Sequence, residues 1–347
     1  MDFYIKELDK NAMDKALERW NNIAIPLGSL GKLHEIIIKC AGIFGTDDFD
    51  FNKKATIVMC ADNGIVAQNV TQSGQEITKI VAENMTSEKA TIAILSKKSN
   101  AEVFVVDIGM KSDSENKNII NKKIMYGTND FSKEKAMSSQ QVLDAINVGI
   151  DMVKMLKEKG YKLIATGEMG IGNTTTSSAI VATILEKEAS FVTGGGAGLS
   201  SEGLDRKIKL INSAITFHKP DKNDMIDVLS KVGGLDIAGL VGVFLGGAMY
   251  NIPILMDGFI SCTAGLVASL VNPVCKNYMF ASHVSAEPAG QMLLDAIGFE
   301  APLHLDMRLG EGTGAVMAFN TFELANAVYR EMSDFSDINI DNYVPLS

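Results

Sequence analysis

The stretch that most constrains this chain is GEMGIGNTTTSSAI, Gly167 to Ile180. The residues before it, YKLIAT (161–166), form a short apolar and β-branched run that reads as a buried strand. The residues after it, SSAIVATILEKE, carry the apolar spacing and rising charge of a helix. A strand, a glycine-rich turn and a helix opened by hydroxyl residues together make an anion site. The first backbone N–H groups of a helix have no intrahelical acceptor, and the helix dipole adds partial positive charge there. Gly170 and Gly172 leave room for an anion to approach that backbone. Glu168 lies in the same turn and would repel a phosphate it faced, so it is expected to face another part of the ligand.

The segment Gly167-xxxx-Gly172-Asn173-Thr174 fits the P-loop pattern except at the lysine, where Asn173 stands. Nothing in the loop then reaches the β/γ-phosphates of ATP, so a monophosphate site is expected in place of an ATPase. A P-loop-like nucleotide kinase and a noncatalytic nucleotide-binding protein are the rival readings.

Alternation of strand and helix organises the rest. ATIVMCADNG, AEVFVVDIG, YKLIATGEMG, ASFVTGGGAG, IPILMDG and NYMFASH read as strands, separated by helices such as SSQQVLDAINVGIDMVKMLKEKG with Gly160 at its C-terminus. The fold expected is α/β: a mostly parallel, Rossmann-like sheet with helices on both faces. Polar residues gather at the strand ends (Asp62, Asp107, Glu168, Gly194 to Gly196, Asp257 and His283), where open parallel sheets bind ligands. Helical periodicity over residues 5–21 and the segment after PLGSLGKL precede every strand. Residues 1–50, joined by the C-terminal helix of 320–347, are therefore expected to form a small helical domain beside an α/β catalytic domain of 51–319.

Bulk properties exclude several classes. The 347 residues are 46% hydrophobic and 21% charged, an ordinary globular composition. The net charge of −10 disfavours nucleic acid and anionic membrane as partners. Cys40, Cys60, Cys262 and Cys275 have no metal or CxxC spacing and read as free thiols of a reducing cytosol. The N-terminus has no apolar core of a signal peptide. The apolar stretch 235–258 is broken by Asp236, Tyr250, Asn251 and Pro253, so it reads as a buried helix followed by a buried strand. A soluble, cytoplasmic protein is expected. The scattered histidines make no metal set, and no metal or cofactor is expected.

Two further stretches carry possible chemistry. TGGGAGLSSEGLDRKIKL places Arg206 and Lys207 near a glycine cluster, where a lysine would add a point charge for phosphate. HLDMRLGEGTGAVMA sets Glu311 between two glycines with Met307 and Leu309 nearby, and apolar surroundings there would raise its pKa toward that of a general base. In SHVSAEPAGQ, His283, Ser285 and Glu287 invite a hydrolase reading, but no nucleophile elbow accompanies them.

PLGSLGKL, ADNGIVAQNV, GEMGIGNTTT, GLSSEGLDRKI, VLSKVGGLDIAGL, PILMDGF, SHVSAEP and MRLGEGTGA, in that order, resemble the nicotinate-nucleotide–dimethylbenzimidazole phosphoribosyltransferase family over nearly the whole chain. The resemblance implies transfer of phosphoribose from nicotinate mononucleotide to 5,6-dimethylbenzimidazole, with inversion at C1′ and release of nicotinate. It implies that Glu311 is the general base and Glu168 a second catalytic carboxylate. Gly170, Asn173, Thr174, Thr175, Gly196, Lys207, Gly258 and Ser285 would hold phosphate and ribose; Ser73, Val81, Met169 and Leu309 would line the base pocket. It also implies a homodimer. Asn63 stands where many members have histidine, Gly74 follows Ser73 where S-x-P is usual, and Val81 replaces a polar residue of some relatives. The acceptor base therefore stays open among dimethylbenzimidazole, other benzimidazoles and adenine.

Overall fold

The apolar runs pair into one six-stranded sheet in the order β3-β2-β1-β4-β5-β6. The strands are β1 (Lys54–Ala61), β2 (Ala101–Gly109), β3 (Ile120–Asn121), β4 (Leu163–Met169), β5 (Ile254–Met256) and β6 (Met279–Ala281), and every pairing is parallel. The computed structural model describes residues 4–196 and 198–343. The order is the Rossmann-like one read from the alternating pattern, and its direction reverses between β1 and β4. Residues Met59 and Cys60 of β1 face Glu168 and Met169 of β4 across that reversal, so the chemistry-bearing end of β4 opens at the switch point.

Two elements differ from the sequence reading. Ala189–Val192 is a short helix, not a strand. Its buried residues Ala189 and Val192 are three apart while Phe191 is exposed, which is a helical spacing that four residues did not reveal as periodicity. The glycine cluster at 194–196 thus follows a helix and a loop. The edge strand β3 has two residues and no apolar run, so nothing in its composition announced it.

The helix Ser139–Glu158 begins with the expected serine: Ser138 Oγ accepts from the Gln141 N–H at 3.2 Å, and Gln141 Oε1 accepts from the Ser138 N–H at 2.8 Å. It packs on the helix Leu235–Met249, buried from Leu235 to Ala248. The two backbones touch where glycines meet. A Cβ on Gly242 would overlap the Ile146 carbonyl oxygen, and one on Gly149 would overlap that of Gly239. Gly242→Ala is therefore expected to destabilise the fold by about 1–3 kcal/mol, read as a lower urea midpoint at unchanged slope.

The helices Lys10–Asn22 and Lys32–Phe44 pack against one another and against Thr313–Glu331. Trp20 stacks between His34 and Tyr329, with centroids 4.2 and 5.2 Å away, and Arg19 pairs with Asp334 at 2.5 Å. Residues 1–3 and 344–347 of the anticipated helical domain lie outside the described residues.

Candidate active site

β4 ends in Glu168–Met169, and the turn after it passes through Gly172 at φ +95° into the helix Asn173–Ile184. Glu168 is buried. Its carboxylate accepts from the Asn173 side-chain amide and from the Glu311 backbone N–H. Burial pushes this carboxyl up to about 8; the nearby Asp236 charge adds to the rise, and the Asn173 hydrogen bond opposes it. A proton is thus retained near neutrality at a strand end, a condition that marks functional carboxylates.

The opposite wall is the loop Leu309–Gly312. Gly310, Glu311 and Gly312 are consecutive left-handed residues at φ +84°, +63° and +93°. Glycine takes that conformation freely; for Glu311 it costs on the order of 1–3 kcal/mol. Asp257, just beyond β5, offsets that strain. Its carboxylate accepts from the backbone N–H groups of Gly312, Gly314 and Ala315 at 3.1, 2.8 and 3.1 Å, capping the helix Thr313–Glu331. Asp257→Asn turns one acceptor oxygen into a donor facing a backbone N–H. A loss of about 1–3 kcal/mol is expected, measured as a lower Tm in a thermal melt.

Held this way, the Glu311 carboxyl is raised above the usual range by burial and by the charge of Asp257, against the Ile92 backbone N–H that pulls it down. Its Oε2 is buried and, among the described residues, has no hydrogen-bond partner. A buried acceptor left open at a cleft is available to a ligand's N–H.

The helix Asn173–Ile184 and the loop Gly194–Gly196 close the third side. Lys207 is only 1% exposed, and its Nζ donates to Thr174 Oγ1 at 2.9 Å and to the Gly194 carbonyl at 3.1 Å. Burial lowers its pKa to about 8, with the Glu287 carboxylate working the other way. Glu287 is itself raised by burial, against the pull of Lys207 and Arg308.

These walls enclose a cleft of about 310 Å³. Of the residues singled out from sequence, Val81, Glu168, Met169, Gly170, Asn173, Thr174, Gly196, Gly258, Ser285, Leu309 and Glu311 line it. Lys207 lies behind its wall, tied in through Thr174. Thr175 and Ser73 are not among the lining residues: the Thr175 hydroxyl is buried with no partner among the described residues, and the Ser73 N–H bonds Thr71 Oγ1 at 3.2 Å. A larger cavity of about 440 Å³ beside Lys39, Phe280 and Phe299 is lined by two exposed acids, Glu35 and Glu300, in place of buried ones. The sequence reading passed over Arg308, which lines the cleft, and Asp236, which stands behind it. Asp236 was visible only as an acid interrupting an apolar helix, which is itself the signal.

The arrangement brings buried carboxylates of raised pKa, a lysine-backed helix N-terminus and an apolar wall to one cleft. Comparison with known proteins gives the same direction. A sequence profile described as phosphoribosyltransferase matches residues 5–340. The nicotinate-nucleotide–dimethylbenzimidazole phosphoribosyltransferase of Acetivibrio thermocellus is 47% identical over 341 residues, 98% of this chain and 97% of that one. The enzyme of the same name from Ruminiclostridium cellulolyticum is 45% identical over 99% of this chain and 97% of that one. A crystal structure of the enzyme of that name from Thermus thermophilus matches with a TM-score of 0.90 at 29% identity, covering 97% of this chain and 100% of that one. With nearly its whole length matched in sequence and in fold, the chain belongs to the nicotinate-nucleotide–dimethylbenzimidazole phosphoribosyltransferase family.

Proposed function

We propose that this enzyme transfers phosphoribose from nicotinate mononucleotide to 5,6-dimethylbenzimidazole or a related flat nitrogen base, releasing nicotinate and α-ribazole 5′-phosphate. The observation that carries the reading at this site is Glu311, which lines a cleft of ligand size and whose buried Oε2 has no partner among the described residues.

One ring nitrogen of the base attacks C1′ on the face opposite nicotinate, and the C1′–N bond electrons return to the pyridine nitrogen, which leaves neutral. Glu311 takes the proton from the second ring nitrogen, discharging the cation that attack creates. Its raised pKa improves it as a base. Glu168 keeps its proton near neutrality in the free enzyme, and the positive charge of the bound nicotinate ring would favour its ionised form, the carboxylate that stabilises the positive charge growing on the ribose. Thr174, Gly196, Ser285 and the helix N-terminus at Asn173 would hold phosphate and ribose, with Lys207 supplying charge. Met169, Leu309 and Val81 offer the apolar wall for the ring. Thr175, in the first turn of the helix Asn173–Ile184, and Ser73 do not line the cleft, and the proposal gives them no contact with substrate.

The reading extends to the whole molecule. Operation as a homodimer in the cytoplasm is part of it; four buried, unpaired cysteines fit a reducing compartment. So is a helical domain of 1–50 and 320–347 beside the catalytic unit 51–319, with the helix Thr313–Glu331 running through the boundary and shared by both.

The test is nicotinate release from nicotinate mononucleotide with a panel of benzimidazoles and purines. Release that requires a base, and forms one new nucleotide per nicotinate, is expected. Release without any base, or none with every base, contradicts the reading.

A further inference from the structure

We infer that Asp236 is a positioning residue for this reaction: from behind the cleft it holds the Asn173 carboxamide against Glu168, and so fixes how that carboxyl faces the ribose. The inference rests on the role proposed for Glu168 above. Asp236 is fully buried near the start of the helix Leu235–Met249, with its Oδ1 accepting from the Ile237 N–H at 3.0 Å. Its Oδ2 accepts from Asn173 Nδ2 at 3.1 Å, and the same amide nitrogen donates to Glu168 Oε2. An amide NH2 has two hydrogens, and here each goes to a different carboxylate. The orientation of Asn173 is thereby dictated, because its oxygen in that place would meet two acceptors.

No ion pair among the described residues reaches either acid. The neighbouring charges that raise them are acids. Glu168 sees Asp257 from the end of β5 and the Glu311 loop. Asp236 sees Asp62 from the end of β1, whose carboxylate is held by Thr78 Oγ1 at 2.6 Å and by the Lys111 N–H at 2.8 Å. Asn63 lies beside them, accepting from Thr176 Oγ1 at 3.1 Å while its own Nδ2 has no partner among the described residues. Burial is the first cause that raises both carboxyls, Asp236 to about 6 and Glu168 to about 8. Two buried acids joined by one amide titrate as a pair, and the second ionisation is the costly one. The positive charge of the nicotinate ring and of the ribosyl transition state is what such a pair would compensate when substrate binds. Gly170 makes the contact possible, since a Cβ there would fall against Asp236 Oδ2 and the Ala61 carbonyl oxygen.

The test compares the pH dependence of kcat and kcat/KM for Asp236→Asn and Asp236→Ala with that of Glu168→Gln. Asparagine keeps an acceptor oxygen for Asn173 and removes one charge, while its NH2 replaces the oxygen that accepts from the Ile237 N–H. The acid limb of kcat/KM is expected to move down by about one pH unit, with KM for nicotinate mononucleotide little changed. Alanine also releases Asn173, and kcat should fall about tenfold or more as the Glu168 carboxyl loses its bearing. An acid limb that stays in place in Asp236→Asn, with Glu168→Gln strongly impaired, overturns the inference. Normal turnover of Glu168→Gln would instead remove Glu168 from the reaction, a separate failure read from a separate variant. If the alanine variant does not fold, the limb position in Asp236→Asn alone decides.

Discussion

Glu311→Gln is expected to bind nicotinate mononucleotide normally and to lose roughly 10²–10⁴-fold in kcat, the range that a positioned general base contributes. Glutamine occupies nearly the same volume and can keep a hydrogen-bonding oxygen toward the Ile92 N–H. What it cannot do is accept the proton of the attacking base. The Gly310–Glu311–Gly312 backbone is held by Asp257 and not by the Glu311 side chain, so the loop should keep its shape. Calorimetric titration with nicotinate mononucleotide and single-turnover kinetics together separate binding from chemistry. Parental turnover in this variant would remove Glu311 from the role of base. Because burial and Asp257 raise its pKa, the functional, ionised form grows as pH rises, so activity should climb through a limb above the ordinary carboxylate range.

Lys207→Ala is expected to raise KM for nicotinate mononucleotide about tenfold to a hundredfold, with a smaller effect on kcat. Hydrogen bonds to charged groups contribute on the order of 1.5–3 kcal/mol, and this ammonium is the buried cation beside the N-terminus of Asn173–Ile184. Two of its three donors are engaged by Thr174 and Gly194, which aims the amine without exhausting it. The dephosphorylated riboside is the control. Equal loss of affinity for riboside and nucleotide would show that the lysine only supports the loop. Since burial lowers the amine to about 8, the free enzyme loses this charge as pH rises through that value, and nucleotide affinity should weaken there in the parent and not in the alanine variant.

Much of this site was legible before any fold was known, for identifiable physical reasons. Strand, glycine turn and hydroxyl-rich helix around Glu168 is a local pattern, and local geometry follows from local sequence. Glu311 was legible as a carboxylate between two glycines with apolar residues nearby, at a position the family resemblance marks; the left-handed backbone those three residues adopt was not read from the sequence. Other features depend on distant partners. Asp257 acts on backbone more than fifty positions away, and Asp236 acts through Asn173, on another helix. Neither partner could be assigned from the sequence neighbourhood. The misread strand at Ala189–Val192 shows the complementary limit, since a four-residue element is too short to display its period. The P-loop-like pattern at Gly167–Thr174 was weakened from the start by Asn173. In the structure that residue has another task, bridging two carboxylates, and the full-length match to phosphoribosyltransferases leaves the kinase reading without support.

The most direct measurement is the anomeric configuration of the product. Purified enzyme would be incubated with nicotinate mononucleotide and 5,6-dimethylbenzimidazole, without ATP, and the nucleotide formed isolated and characterised by proton NMR at C1′. A cleft in which the base attacks opposite the leaving nicotinate should give the α-nucleotide as the sole product, with one nicotinate released for each. A β-nucleotide, or ribose 5-phosphate in place of a nucleotide, would contradict direct displacement between Glu168 and Glu311.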